Sequence, residues 1–355
     1  PFRYTGIERL ERNLWCDARN VMAKEKVFYH GHALAAVAAA DEATAQKALG
    51  LIAVEYEVLP FAVTIDAALA PDAPVIHEGM ITRNVEPKPT KASNLARTWR
   101  DVLGDPDEAF RRADVVVEGA FDSDPVHQGY IEPHACVAEF NADGQAHLWV
   151  SSQGHFQMRD QTAQLAGLSS GDIKVTPAEI GGGFGGKTKV YLEPVAMMLS
   201  KKSGRPVKMT MTREEVFRAT GPASDAKMRV RIGATRDGRI IAADLELHYG
   251  SGAFPGAPMI NGCLCAFGQY HIENVRTVGH DVVTNRAMTA AYRAPGSPQS
   301  NFAVESTIDR LARTLGLDPV DLRLKNAAKA GDRLSAGRTM THDGFAEILT
   351  ALKAH

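Results

Sequence analysis

Residues 180–188 read IGGGFGGKT, and they carry the strongest local signal of fold and function in this chain of 355 residues. Glycine adopts backbone conformations that are costly for other residues, and its missing side chain lets a ligand approach the main chain. Loops of this type present successive backbone N–H groups to oxygen atoms. The stretch therefore predicts a loop that binds an anionic or oxygen-rich ligand.

The same stretch matches a second pattern, the phosphate loop GxxxxGK[ST], from Gly181 to Thr188. A strand-like segment precedes it and a helix-like segment follows it, so a nucleotide triphosphatase is one interpretation. Two features weaken it: the preceding strand is short and contains Pro177, and Asp244 is the best available acidic partner on a buried strand. A glycine-rich structural turn is a further alternative, and the loop by itself does not decide among them.

The composition of the chain restricts its size class, its partners and its metal sites. Hydrophobic residues make up 45% of the chain and charged residues 23%, which supports a buried core, and the length suggests about two domains. The formal net charge of −2 does not favour nucleic acid or an anionic membrane as a partner, and no apolar run is long enough to span a bilayer. The four cysteines form no CxxC pair, so we expect structural thiols rather than zinc or iron–sulfur ligands: Cys16, Cys136, Cys263 and Cys265.

Hydrophobic periodicity and turn residues predict strands and helices along the whole chain. Strands are predicted at residues 27–40, 52–58, 113–121, 146–151 and 173–180, and a hairpin joins residues 228–232 to residues 240–249. Helices are predicted from Asp41 onward and at residues 107–113, 157–165, 191–200, 304–315 and 319–330. Residues 80–104 contain two prolines and no clear period, which predicts an extended linker. This mixture favours an α+β fold in two parts over a doubly wound sheet.

Residues 180–187 also resemble the glycine-rich loop, GGGFGGK, of the xanthine dehydrogenase and aldehyde oxidase family of molybdenum hydroxylases. Further segments resemble that family in the same order, and together they cover nearly the whole chain, which a chance phosphate-loop match would not do. These segments are VMAKEKVFYHGHALAAVAAA (21–40), SSQ (151–153), PVKMTMTREE (206–215), YGSGAF (249–254), AAYRAPGSPQ (290–299) and LDPVDLRLKN (317–326). The resemblance implies a partial α/β hammerhead domain (1–80), a linker (81–110) and the first molybdopterin-binding domain of the family (111–355).

The resemblance also implies roles for individual residues. Gln153 matches the glutamine that hydrogen-bonds the apical oxo ligand of molybdenum, and Phe184 and Gly185 match positions whose backbone N–H groups face that ligand. Arg293 matches the arginine of a second loop, whose guanidinium suits phosphate or carboxylate recognition. Glu132 resembles a segment near the site that orders structure. The implied cofactor-binding residues are Gln153, Gly182, Gly183, Phe184, Gly185, Ala291, Tyr292, Arg293 and Ala294.

Three departures from the family pattern limit the expected chemistry. Thr188 stands where purine-hydroxylating relatives carry a glutamate that contacts substrate, which argues against xanthine. Ala294 stands where aerobic carbon monoxide dehydrogenases carry a copper-binding cysteine, which argues against a molybdenum–copper site. The family's general-base glutamate lies in a later domain, and no residue between Met340 and His355 supplies it. We therefore assign no catalytic residue and expect the chain to be inactive by itself.

The implied cofactor is molybdenum–molybdopterin, with the cytosine dinucleotide as one form, and the implied reaction oxidises an aldehyde or an N-heterocycle with oxygen from water. We expect four kinds of partner: a second molybdopterin-binding segment or subunit, a 2Fe-2S subunit, an FAD subunit and the small-molecule substrate. The chain begins at Pro1 rather than methionine, so we expect a truncated N-terminus. A cytoplasmic location is predicted, with the periplasm as the alternative.

Overall fold

Two β-sheets organise the part of the chain that the computed structural model describes, which is residues 6–355, with side chains from residue 14. The strands are β1 (Leu95–Leu103), β2 (Val115–Ser123), β3 (Ala135–Phe140), β4 (Ala146–Val150), β5 (Ile173–Pro177), β6 (Val207–Thr210), β7 (Ala226–Ala234), β8 (Ile240–Gly252) and β9 (Val275–Val283). The helices are α1 (Gly6–Val21), α2 (Glu42–Leu49), α3 (Ile65–Leu69), α4 (Pro106–Arg111), α5 (His155–Ala166), α6 (Glu193–Ser203), α7 (Arg213–Ala219), α8 (Met259–Ala266), α9 (Ser297–Leu315), α10 (Pro319–Asn326) and α11 (Gly344–Ala354).

The larger sheet has five strands in the order β1-β9-β8-β7-β2. The predicted hairpin is confirmed, since β7 and β8 pair antiparallel and Gly238 turns between them with φ 87°. Leu245, Leu247 and Tyr249 alternate inward along β8 and are fully buried under α8 and α9. The residues between them point to the opposite face, which carries charged and imidazole side chains.

Helix α9 covers the inner face of this sheet because its apolar residues recur at helical spacing. Ala303, Val304, Ile308 and Leu311 are fully buried in the same core as the sheet. The helix ends before Gly316, whose φ of 69° is the left-handed conformation that commonly stops a helix.

The smaller sheet has four strands in the order β5-β4-β3-β6, and α5 and α6 pack on it. Strands β4 and β5 are parallel, with Val150 opposite Pro177 at their carboxyl ends. Strand β3 is antiparallel to β4, so its first residues lie at the same edge. The segments that follow β4 and β5 and the segment that precedes β3 therefore meet beside one another.

The predicted linker between residues 80 and 104 is wrong in its second half. Residues Leu95–Leu103 form β1, which pairs antiparallel with β9 at the edge of the five-stranded sheet. An edge strand needs one partner and one apolar face, so polar residues such as Arg100 are tolerated beside the buried Trp99. The domain boundaries at residues 80 and 110 stay predictions.

The strands predicted at residues 27–40 and 52–58 are also wrong: within residues 6–355 neither range forms a ladder with another strand. A strand is stabilised by hydrogen bonds to a neighbouring strand, and the apolar pattern alone does not provide one. Tyr56 and Val58 are 64% and 82% exposed. The helix predicted from Asp41 is confirmed, because the Asp41 carboxylate caps α2 by accepting from the Thr44 N–H.

An aromatic cluster holds the first described side chains against the larger sheet. The rings of Trp15, Phe28 and His77 surround Phe254, with centroid distances between 5.4 and 6.1 Å. His77 Nε2 also lies 2.6 Å from the carbonyl oxygen of Ala253. The segments before β1 are therefore fixed to the residues that follow β8.

The cysteines are free thiols, and Cys16, Cys136 and Cys263 are buried. Burial raises the pKa of the Cys263 thiol to about 12, so it remains protonated at neutral pH. Within residues 6–355, no helix combines the length and the apolar character that a membrane crossing requires.

We expect Leu247→Ala to lower the free energy of unfolding by about 2–5 kcal/mol, because it leaves a cavity under α9. The matched control is Leu51→Ala, since Leu51 is 79% exposed and its truncation should change stability by less than about 0.5 kcal/mol. Urea unfolding of both variants measures the difference. Equal effects would contradict the described packing of the five-stranded sheet.

Candidate functional site

The parallel ends of β4 and β5 bring Gln153 against the glycine loop. Gln153 Oε1 accepts hydrogen bonds from the backbone N–H groups of Gly185 (2.7 Å) and Lys187 (3.2 Å). The Gln153 N–H donates to the carbonyl oxygen of Lys187 at 3.0 Å. Among the described residues, no acceptor binds the Gln153 amide NH₂ group, and the residue is exposed. The amide is therefore fixed by its oxygen and presents its nitrogen at the surface.

Glycine is required where this loop meets its neighbours. A Cβ on Gly183 would lie 2.5 Å from Gln153 Oε1, and a Cβ on Gly185 would lie 2.6 Å from the carbonyl oxygen of Ala291. Gly182 and Gly185 also have φ of 93° and 104°, in the left-handed region that other residues rarely adopt. The glycines thus allow three segments of the chain to approach one another closely.

Lys187 is the buried centre of a charged network under the loop. Its side chain is 0% exposed, and its Nζ donates to Glu132 Oε2 (2.6 Å) and Ser151 Oγ (3.1 Å). Glu132 Oε2 also accepts from Ser151 Oγ (2.6 Å) and from the Gly181 N–H (2.7 Å). Burial raises the pKa of Glu132, but the hydrogen bonds from Lys187, Ser151 and Gly181 outweigh it and the net pKa is lowered.

This network bears on the phosphate-loop pattern. In a phosphate loop the lysine reaches the phosphates of the nucleotide, and a helix begins at the glycine–lysine pair. Here Lys187 is committed to Glu132, and α6 begins only at Glu193, after a short 3₁₀ turn over Gly186–Thr188. The lysine of the pattern therefore orders the loop from beneath instead of facing a ligand.

The second loop, which follows β9, is tied to the glycine loop. The Arg293 N–H donates to the carbonyl oxygen of Phe184 at 2.9 Å. Phe184, Arg293 and Ala294 have positive φ values of 51°, 21° and 64°. Non-glycine residues persist in such conformations only where the surrounding structure imposes them. All three residues are exposed, and Ala291 and Tyr292 are half-buried.

The structure thus brings the predicted residues of three segments together at one surface. Hydrogen-bond donors dominate it: within the described part of the chain, no acceptor binds the Gln153 amide nitrogen, the Phe184 N–H or the Arg293 guanidinium. One expectation is corrected, because the Gly185 N–H points at Gln153 Oε1 and does not face outward as predicted. The physical reason is that the amide oxygen of Gln153 lies beside the loop and accepts a hydrogen bond from the Gly185 N–H.

Gln128 contributes to the site and was not predicted. Its side chain is 6% exposed, and its Nε2 donates to the carbonyl oxygens of Ala291 (2.7 Å) and Gly221 (3.1 Å). It therefore fixes the second loop from inside. No local sequence signal marks this residue, since it lies in a segment without periodicity and 163 positions before Ala291.

A neutral polar network continues beneath Gln128. Tyr130 OH lies 2.7 Å from His134 Nε2 and 3.1 Å from Thr220 Oγ1. Burial, with a smaller contribution from the charge of Lys187, lowers the pKa of His134 to about 3. His134 is therefore neutral at physiological pH, which keeps a second positive charge away from Lys187.

The surface formed by the loops is separate from a cavity of about 540 Å³ elsewhere in the molecule. That cavity is lined by Trp15, Phe28, His77 and neighbouring residues, and by none of the predicted site residues. Gln153, Phe184 and Arg293 are exposed.

Two family models match the chain. The molybdopterin cofactor-binding domain matches residues 87–327, and the a/b hammerhead domain of aldehyde oxidase and xanthine dehydrogenase matches residues 5–60. The chain belongs to the xanthine dehydrogenase and aldehyde oxidase family. All three segments of the site lie within the cofactor-binding match. The resemblance seen in the sequence and the α+β fold are confirmed.

Relatives in this family are similar over most of the chain. The nicotinate dehydrogenase large molybdopterin subunit of Eubacterium barkeri is 31% identical over 92% of this chain and 75% of its own length. The aldehyde oxidoreductase of Megalodesulfovibrio gigas is 31% identical over 90% of this chain and 34% of its own length. The aldehyde oxidoreductase structure from Desulfovibrio desulfuricans superposes with a TM-score of 0.85, at 28% identity, over 94% of this chain and 36% of that one. The chain thus spans about a third of the length of the latter two.

We expect Glu132→Gln to lower the free energy of unfolding by about 3 kcal/mol at pH 7, since it leaves the Lys187 ammonium buried without a counter-charge. The matched control is Glu179→Gln, an exposed residue two positions before Gly181, for which we expect less than about 0.5 kcal/mol. Chemical unfolding measures both. A loss no larger than that of the control would show that the ion pair is not a structural requirement.

Wild type and Glu132→Gln also test how the contribution of Glu132 to stability depends on pH. The folded-state pKa of Glu132 is lowered from its ordinary value of 4.5, so its contribution to stability is present above pH 4.5. That contribution is lost as the pH falls through the folded-state pKa. The stability difference between wild type and Glu132→Gln should therefore be constant near neutral pH and shrink below pH 4.5. A difference that grows on acidification would contradict the lowered pKa.

Proposed function

We propose that this chain is the part of a molybdenum hydroxylase that binds the molybdopterin cofactor, in an enzyme that oxidises an aldehyde or an aromatic N-heterocycle with oxygen from water. The observation behind the proposal is the orientation of the Gln153 amide. Its oxygen accepts hydrogen bonds from the Gly185 and Lys187 N–H groups, so its nitrogen points away from these donors. A donor fixed in this way is suited to an oxygen atom of a bound group, because it needs no reorganisation on binding.

The residues present fit the cofactor in chemical type. Oxygen ligands and phosphate need donors and positive charge, and the surface offers an amide nitrogen, a backbone N–H and a guanidinium. Gln153 and the Phe184 N–H would donate to oxygen atoms at the metal, and Arg293 would bind phosphate or carboxylate. The other residues that would line the cofactor are Gly182, Gly183, Gly185, Ala291, Tyr292 and Ala294. When bound, the cofactor supplies the redox centre at which the substrate carbon is oxidised.

Among the described residues, the loop surface holds no group suited to act as a general base. Such a base works best with a pKa near the operating pH. Glu132 is the carboxylate nearest the loop, and its lowered pKa and three donors to one oxygen make it a weak base. We therefore propose that the proton acceptor is contributed by a second molybdopterin-binding segment, and that this chain alone does not turn over.

Two residues, Thr188 and Ala294, bear on the choice of substrate. Thr188 Oγ1 donates to the carbonyl oxygen of Gly185 at 2.7 Å, so its hydroxyl is used within the loop. Neither this residue nor Ala294 supplies the carboxylate or thiol expected of purine or carbon monoxide chemistry. Names among the relatives refer to nicotinate dehydrogenase, aldehyde oxidoreductase and quinoline 2-oxidoreductase, and also to xanthine dehydrogenase, hypoxanthine oxidase and carbon monoxide dehydrogenase. An aldehyde or an N-heterocycle remains our proposal for this chain.

The proposed assembly contains further subunits. Several relatives are named as subunits or as a large chain. We propose partners that carry 2Fe-2S clusters and FAD and accept the electrons, a cytosine dinucleotide as one form of the pterin, and a cytoplasmic location.

The first test is the molybdenum content of the protein purified under mild conditions from its native producer, with mass spectrometry of everything that co-elutes. About one molybdenum per chain, with companions carrying iron–sulfur and flavin groups, is the expected result. A folded chain with neither molybdenum nor pterin would contradict the proposal and favour a structural role. Saturable binding of magnesium–ATP that Lys187→Ala abolishes would favour the phosphate-loop alternative.

We expect Gln153→Glu to lower turnover in the assembled enzyme by about 10²-fold. A carboxylate can still accept from the Gly185 and Lys187 N–H groups, so the loop should keep its position, but the amide donor is lost. Molybdenum content and thermal stability should therefore be close to those of wild type. The matched control is Gln157→Glu, on the exposed face of α5, which should leave turnover unchanged. Unchanged turnover in Gln153→Glu would remove Gln153 from the proposed site.

A further inference from the structure

The five-stranded sheet has an outer face that the molybdopterin proposal does not use. On β8 the residues Asp244, Glu246 and His248 point away from the core, in alternation with Leu245 and Leu247. Neighbouring strands add further polar side chains, and the middle of this face holds two imidazoles side by side.

We propose that Glu246, His248 and His280 form a binding site for a divalent first-row transition-metal ion such as Zn²⁺. Glu246 and His248 are two positions apart on β8 and so share a face, and His280 lies directly opposite His248 on β9. One ligand atom from each of the three residues lies within 4.8 Å of the others. His280 Nε2 is 3.4 Å from Glu246 Oε1. Rotation of the side chains about their χ angles would bring the three ligand atoms around one ion.

The two imidazoles lie face to face. Their rings are stacked, with centroids 4.3 Å apart and planes 21° from parallel, so at least one ring must rotate for both lone pairs to meet at one ion. Thr98 on β1 places its hydroxyl oxygen 3.1 Å from His280 Nδ1, and its partner on β9 is His280 itself. Without a metal ion, His280 Nε2–H can donate to Glu246 Oε1; in the metal-bound form Nδ1–H would donate to Thr98 Oγ1 and leave the Nε2 lone pair for the ion. Metal-binding histidines commonly use their second nitrogen in this way.

Cationic and anionic side chains both surround the cluster. Lys227 lies opposite His248 on β7, but its ammonium is paired with Asp66 (2.8 Å) and Asp122 (3.4 Å). Arg229 lies opposite Glu246 on the same strand. The Lys227 charge is offset by two carboxylates, and Glu246 supplies a further negative charge beside the imidazoles.

The ligand set selects the class of ion. Two imidazoles and a carboxylate are typical of zinc and non-haem iron sites, whereas calcium and magnesium prefer oxygen ligands alone. Three protein ligands leave a coordination position open to water or to a partner group. Glu246 is half exposed, so the ion can enter from solvent.

The test is titration of the purified protein with Zn²⁺ at pH 7 in competition with a chromophoric chelator. We expect one saturable site per chain, weakened at least about tenfold in His248→Ala, His280→Ala and Glu246→Gln. Glu246→Gln changes an exposed side chain, so it separates loss of a ligand from loss of folding. His147→Ala is the matched control, because His147 lies on the other sheet beside Trp149 and Thr176 and should leave zinc affinity unchanged.

A second variant tests the orientation of the ligand. Thr98→Val keeps the shape of the side chain and removes the hydroxyl, and we expect zinc affinity to fall about tenfold. Absence of saturable binding in wild type, or equal affinity in wild type and all three ligand variants, would overturn the proposal. Circular dichroism of each variant confirms that the fold is retained. None of these readouts depends on molybdenum content or turnover, so the result is independent of the proposed hydroxylase function.

Discussion

Parallel pairing of β4 with β5 is the constraint on which the candidate site depends. It places the residues after Val150 and after Pro177 at one edge of the four-stranded sheet, and β3, which runs antiparallel to β4, begins at that edge. Gln153, the glycine loop and Glu132 are therefore neighbours, although up to 55 positions separate them in the chain. The carboxyl ends of parallel strands are a frequent place for ligand sites because loops converge there.

A buried lysine stabilises this convergence. An ammonium group removed from water is costly unless a counter-charge and further hydrogen bonds accompany it. Lys187 has both, from Glu132 and Ser151, and the same Glu132 oxygen accepts from the Gly181 N–H. The network joins the start of the glycine loop to its end. The lysine of the phosphate-loop pattern, Lys187, therefore has a structural role in this chain, because its ammonium group binds Glu132 and Ser151.

The surface above that network is rich in donors and poor in bases. Gln153 is held by its oxygen, the Phe184 N–H is free of acceptors within the described residues, and Arg293 extends from a strained loop. Such a surface offers donors to oxygen-bearing groups, and the hydrogen bonds that Glu132 accepts beneath it lower the pKa of that carboxyl.

Local sequence predicts several elements of the fold. The sequence predicts the hairpin between residues 228–232 and 240–249, the helix that begins at Asp41, and the helix over residues 304–315, which correspond to β7–β8, α2 and part of α9. These features depend on backbone preferences and on hydrogen bonds between residues a few positions apart, so the sequence by itself determined them. The family was also readable from short motifs, because the glycine loop and the second loop have unusual compositions.

Other features were decided only by the tertiary structure. Residues 27–40 and 52–58 have strand-like patterns but no partner strand within the described chain, whereas the polar β1 is a strand because β9 provides its ladder. The direction of the Gly185 N–H, the role of Gln128 and the pairing of His248 with His280 likewise depend on residues remote in sequence. Hydrogen bonds and burial are satisfied by whichever groups the fold brings close, and a local pattern does not contain that information.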